Sequence, residues 1–109
     1  MSNNIEYALQ WFKQATFDLN AAISSKESKD FEWACFQAQQ ASGKALKAFL
    51  YSRKKRNILT HSIFKLINEC GKLDKDILDL KETKVLDQYY VPTRYPNGLP
   101  SGILMNFFQ

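Results

Sequence analysis

A chain of 109 residues, 45% hydrophobic and 24% charged, has enough apolar material for one core, too little length for two, and neither a disordered nor a fibrous composition. Fifteen Lys and Arg against eleven Asp and Glu leave a formal charge of +4, a mild excess that favours anionic partners through long-range attraction without naming one. Cys35 and Cys70 lack the nearby His or Cys that zinc requires, which argues against a metal site or a disulfide framework, and no cofactor is expected.

The N-terminus, MSNNIEYALQWFK, has no charged n-region followed by a long apolar run, and no segment has the length to cross a bilayer. A cytoplasmic protein with no membrane partner is expected. All three Pro and three of the four Gly lie from Gly71 onward, so the first two thirds carries few helix breakers. The expected fold is all-α, an antiparallel up-and-down bundle of four main helices forming a single domain over 1–109.

A short polar side chain at Asn3 or Asn4 suits a helix start, with Glu6 placed as in a capping box. Ile5, Ala8, Leu9, Phe12, Ala15, Leu19, Ala22 and Ile23 recur at helical spacing and form the expected buried stripe, with Trp11 and Asp18 on its flank. The polar run from Ser24 to Lys29 reads as a turn, and Asp30 as the cap of a second, central helix running to about Lys55.

In that central helix Ala34, Ala38, Ala41, Ala45, Ala48 and Ser52 fall in one column, a seam of small side chains that lets another backbone come close. Phe31, Cys35, Ser42, Leu46 and Phe49 form a second apolar column, leaving Gln37, Gln40, Lys44 and Lys47 on a wet or interfacial face. Asn57 tolerates the left-handed geometry that closes a helix. Thr60 reads as the cap of a third helix carrying Ile63, Leu66, Ile67 and Cys70 and stopped by Gly71. A fourth begins at Asp74, with Ile77, Leu78, Val85, Leu86 and Tyr89 on its apolar side. Pro92, Pro96 and Pro100 with Gly98 and Gly102 make the following stretch an irregular loop, and ILMNFFQ forms an apolar C-terminal tail.

Three segments, WFKQATFDLNAA (Trp11 to Ala22), WACFQAQQASGKALKAFL (Trp33 to Leu50) and LDQYYVPTRYPNGLPSG (Leu86 to Gly102), with THS at Thr60 to Ser62 between them, resemble the HEPN family, the "higher eukaryotes and prokaryotes nucleotide-binding" domain. The likeness is to its small stand-alone prokaryotic type and covers about nine tenths of the chain. It implies an antiparallel helical bundle, commonly a homodimer, often paired with a small nucleotidyltransferase in a two-component, toxin–antitoxin-like system. Some members of that family are ribonuclease toxins and others have been proposed to bind nucleotides. Two departures stand out: the apolar tail replaces the last long helix of relatives, and Gly43 replaces a Glu beside the Lys that Lys44 matches.

Ribonuclease members of the family use an Arg followed a few residues later by a His, just before the last helix. Here Arg94 is followed by no His, which argues against a nuclease of the usual kind. Arg56 and His61 meet the spacing elsewhere in the chain and are weak catalytic candidates; the bland alternative has His61 satisfying free backbone groups at the start of the third helix. The cations from Arg53 to Arg56 form either a phosphate site or a solvated helix end. An Arg fork matches phosphate and a ring stacks on a base, so Arg94 and Tyr95 are candidates to hold a nucleotide against Lys44, Lys47 and Gln40. The competing reading ties Arg94 to Asp18 or Asp87 and packs Tyr95 on Trp11 or Trp33.

The expected function is a non-enzymatic module that self-associates through its small-residue face and binds a nucleotide, RNA or a partner nucleotidyltransferase. The alternatives are a metal-independent ribonuclease toxin and a structural helical dimer without a specific ligand.

Overall fold

The computed structural model describes residues 3–90, and among these the chain forms α1 (Asn3–Glu27), α2 (Phe31–Ser52), α3 (Ile63–Gly71) and a 3₁₀ segment (Lys75–Tyr89). The all-helical expectation holds. The Pro and Gly loop, the tail, Arg94 and Tyr95 lie outside the described residues.

α2 is the central element, touching each of the other three. Two stripes at helical spacing explain this. Ala34, Gln37, Ala41, Lys44, Ala48 and Tyr51 lie toward α1, while Gln39, Gly43, Leu46 and Leu50 lie toward α3 and the 3₁₀ segment. The start of α1 meets the end of α2: Asn4 Nδ2 donates to the Ser52 carbonyl at 3.2 Å, and the Tyr7 and Tyr51 rings meet edge to face at 4.9 Å. The other end of α1 meets the beginning of α2, where Ser25 and Gln37 are hydrogen-bonded at 2.6 Å.

Of the apolar stripe expected to be buried on α1, only the small members turn inward. Ala8, Ala15 and Ala22 are its buried residues, one in every seven, and Ala34, Ala41 and Ala48 repeat the same interval on α2. Small side chains on both helices bring the backbones close, and that closeness leaves no room for bulk between them. Ile5, Leu9, Phe12, Leu19 and Ile23 are therefore displaced around the helix and stand exposed, as do Phe17 and Phe31. On the face of α2 expected to be wet or interfacial, Lys47 is buried, and Gln39, outside that face, is almost completely so.

The core proper is made by Leu50, Leu66 and Cys70, flanked by Leu46, Phe49, Ile58 and Ile77. Leu50, Ile63, Leu66 and Ile67 are each wholly enclosed, and each contributes about 1.5–3 kcal/mol by leaving water. Cys70 donates its thiol to the Leu46 carbonyl at 3.5 Å, and burial pushes its pKa up to about 11.

Three local expectations need correction. Asp30 precedes α2 without a side-chain cap, its carbonyl alone accepting the Ala34 N–H at 2.8 Å. Ser62, not Thr60, caps α3, accepting the Lys65 N–H, while Thr60 Oγ1 accepts the Ser62 N–H. α2 stops at Ser52 because Lys54 turns left-handed (φ 69°), so Lys54 N–H and Lys55 N–H double back to the Tyr51 and Leu50 carbonyls at 3.0 Å. Lys29 (φ 68°) closes α1 by the same pattern, and Asn57 (φ 58°) is left-handed as expected.

The fourth element departs in its pitch. At three residues per turn, Ile77, Leu80, Thr83, Leu86 and Tyr89 make one column, and all but Leu80 are partly buried. The 3.6-residue reading put Ile77, Leu86 and Tyr89 on one side together with Leu78 and Val85, and of these Val85 stands exposed. Gly71 permits the close return of this segment, since a Cβ there would lie 2.7 Å from Leu78 Cγ.

Candidate anion-binding groove

Where the end of α2 meets the start of α1, the chain from 53 to 62 folds beside both and leaves a groove of about 770 Å³. Its floor is aromatic. Tyr7, Trp11 and Tyr51 pack on one another, with the Trp11 and Tyr51 centroids 5.5 Å apart. Its rim is cationic, carrying Lys54, Lys55 and Arg56, with Lys47 lower down and Glu6 as the sole carboxylate in the lining.

Lys47 Nζ sits 5.4 Å from the Trp11 ring centroid, so the ring face stabilises an ammonium whose stem is buried. Burial first, and the nearby Lys44 charge second, lower its pKa. Among the described residues the ion pairs are Lys44–Asp18, at 2.7 Å, and Lys72–Glu69. Among the described residues none of the four cations of the groove is in an ion pair, although Lys55 feels the Glu69 carboxylate at longer range, and an anion entering the groove meets an excess of positive charge.

His61 closes one side. Its backbone carbonyl accepts Gln39 Nε2 at 2.8 Å and its ring stacks on Tyr90 at 4.8 Å, while the ring itself remains exposed. Partial burial, then the Lys47 charge, lower its pKa and favour the neutral imidazole. It does not satisfy the free N–H groups of α3. That work falls to Asp87, which accepts from Ile63 N–H at 2.6 Å, from Phe64 N–H at 3.1 Å and from Ser62 Oγ at 3.1 Å.

A smaller cavity of about 120 Å³ adjoins the groove, sharing Trp11, Lys47 and His61 and adding Gln39, Gln40, Gly43 and Lys44. The predicted residues therefore converge: Arg56, His61 and Lys47 on the groove, Gln40, Lys44 and Lys47 beside it. Lys44 is held by Asp18 and is the least available of them for a ligand. Gln40 donates to Gln39 Oε1 at 3.0 Å. Tyr7 and Tyr51 were not expected, whereas Lys54 belongs to the cationic run from Arg53 to Arg56. The two rings lie 44 positions apart, and only the register of α1 on α2 brings them together. No group of three or more His, Cys, Asp or Glu among the described residues could hold a metal, and none of the described helices is long and apolar enough to cross a membrane.

The family model of the HEPN domain matches residues 8–101. No curated protein and no solved structure matches the chain.

Proposed function

This chain belongs to the HEPN domain family, and from that premise we propose that it is a non-enzymatic module that binds the phosphates of a nucleotide or RNA in the groove between α1, α2 and the 53–62 connection. The observation that carries this reading is the set of four cations, Lys47, Lys54, Lys55 and Arg56, that form no ion pair among the described residues and surround an aromatic floor. The rings of that floor already pack on each other and on Lys47, which favours recognition of phosphate over stacking of a base. Arg94 and Tyr95 are kept as proposed ligand residues on their chemistry alone, a guanidinium fork for phosphate and a ring for a base. We read the helices as an antiparallel up-and-down bundle within one domain over 1–109, and a nucleotidyltransferase of a two-component system as the protein partner.

A second reading, a metal-independent ribonuclease, is favoured by one observation: Arg56 and His61 line the same groove. An Arg to hold phosphate and a near-neutral imidazole to move a proton suit that chemistry.

Titration of the protein with ATP and with a short RNA, followed by amide NMR, tests both. Binding predicts saturable shifts at Lys47, at Lys54 to Asn57 and at His61, lost in a Lys55→Ala, Arg56→Ala variant. A flat response from the folded protein sinks the binding reading. RNA cleavage abolished by Arg56→Ala and by His61→Ala would replace it with the second.

A further inference from the structure

The small cavity beside the groove differs from it in size and in charge. One benzene ring fills a cavity of about 150 Å³, so the roughly 120 Å³ here suits a phosphate group and excludes a base with its sugar. Trp11, Lys47 and His61 line both spaces, so the cavity is reached from the groove past these three side chains. Its inner wall is the α2 backbone at Gly43 and the amide of Gln39, a residue 1% exposed and pinned by its bond to the His61 carbonyl. A group that enters from the groove stops there.

Charge sharpens the contrast. Glu6 stands in the groove lining, whereas among the described residues no Asp or Glu lines the cavity. Two ammonium groups do. Burial is the first cause of the lowered Lys47 pKa and the Lys44 charge the second, so an anion seated between the two relieves a repulsion. Asp18 fixes Lys44 Nζ at 2.7 Å and engages one of its N–H groups, leaving further donors on the same ammonium.

An internal phosphodiester carries about −1 and continues into a nucleoside on both sides, whereas a phosphomonoester carries about −1.5 to −2 and has a nucleoside on one side only. The cavity matches the second in charge and has no room for the far nucleoside of the first. Resting on the phosphate-binding reading of the groove, we infer that this cavity receives a terminal phosphomonoester, the phosphorylated end of an RNA strand or of a mononucleotide, held by Lys47 and Lys44 while the rest of the molecule lies in the groove. The groove attracts phosphate of any kind, and the cavity selects an end.

Isothermal titration calorimetry on the full chain at constant salt tests this with one short RNA made with a 5′-phosphate, with a 3′-phosphate and with neither, and with AMP beside adenosine. A terminal phosphate should tighten binding about tenfold or more, the scale of a hydrogen bond to a charged group. A preference confined to RNA identifies the strand end as the ligand, and a preference for AMP over adenosine identifies the free nucleotide; either supports the inference. Gln40 lines the cavity and not the groove, so Gln40→Glu, which sets a carboxylate there at nearly constant shape, should abolish the preference. Lys55→Ala on the groove rim should weaken all the RNAs and leave their ratio unchanged. Equal affinity of the wild-type chain for ligands with and without the terminal phosphate overturns the cavity and leaves the groove standing. A preference that survives in Gln40→Glu, folded by circular dichroism, overturns it equally. Absence of binding to any of the five ligands removes the groove reading and this inference together.

Discussion

The Asp87 carboxylate lies 2.6 Å from the backbone nitrogen of Ile63, and through that bond the far end of the 3₁₀ segment caps the helix that carries the core. Its second oxygen takes the Phe64 N–H and Ser62 Oγ, so one side chain answers two of the free donors of α3 and complements the dipole at its N-terminus. Removing it strands partly buried N–H groups. Asp87→Ala should cost about 2 kcal/mol and Asp87→Asn about half that, since the amide keeps one acceptor. Urea denaturation midpoints at constant m-value measure both.

The two helical glycines should respond oppositely to alanine. At Gly71 a Cβ would press into Leu78, and Gly71→Ala should destabilise by about 1–3 kcal/mol through overpacking. At Gly43 the nearest atoms are Ile63 Cδ1 at 3.6 Å and Leu66 Cδ1 at 3.9 Å, an ordinary contact. Gly43→Ala should therefore stabilise α2 by up to about 1 kcal/mol. A loss of stability in Gly43→Ala would show that this account of the α2–α3 contact is wrong.

Lys29 and Lys54 both occupy left-handed positions where glycine is unstrained. Lys29→Gly and Lys54→Gly should each raise stability by roughly 0.5–1 kcal/mol, the relief of backbone strain exceeding the added chain entropy. Their effects on ligand should diverge, because Lys54 lines the groove and Lys29 does not. Thermal melts paired with a phosphate-ligand titration would show weakened binding in Lys54→Gly alone. Equal binding in both would remove Lys54 from the site.

His61 couples the groove to pH. Its pKa in the folded protein lies below the ordinary 6.5, so the unfolded chain takes up the proton more readily. The stability it contributes is complete above about pH 6.5 and declines as pH falls through that value toward the lowered one. The decline is shallow because the ring is exposed. Anion binding should move the other way, strengthening on acidification as the imidazolium joins Lys47 and Arg56. Both trends should disappear in His61→Gln, in denaturation and binding experiments run from pH 7.5 to pH 5.5.

Much of the fold is legible in the sequence because three of its elements obey the 3.6-residue period and end at residues with a physical reason to end them. The small-residue column of α2 marks a close helix contact, and Trp11 and Asp18 share the flank that faces it. Which members of the α1 stripe turn inward was not legible. Hydrophobicity ranks Leu9 and Phe12 above Ala8 and Ala15, yet the alanines on α2 accept only small partners, and steric fit overrides hydrophobic rank. The 3₁₀ pitch was hidden because such helices rarely run beyond three or four residues, so a segment of 15 reads by default as an α-helix. Of the site, the cations from Lys54 to Arg56 and the spacing of Arg56 and His61 could be read directly. The Lys44–Asp18 pair and the Tyr7–Tyr51 floor could not, because each depends on the registry of two helices.

That registry makes the alanine line a gauge for the groove. The mouth lies at the Ala8 and Ala48 end of the helix pair, and its width follows from how closely the axes approach there. A branched residue at Ala8 or Ala48 would act as a wedge, prising apart Tyr7 and Tyr51 and spreading the cations. The same residue at Ala22 or Ala34 would splay only the distant end. Tolerance to substitution along one uniform row of methyl groups should therefore be graded, strict for ligand binding at the mouth and loose at the hairpin turn.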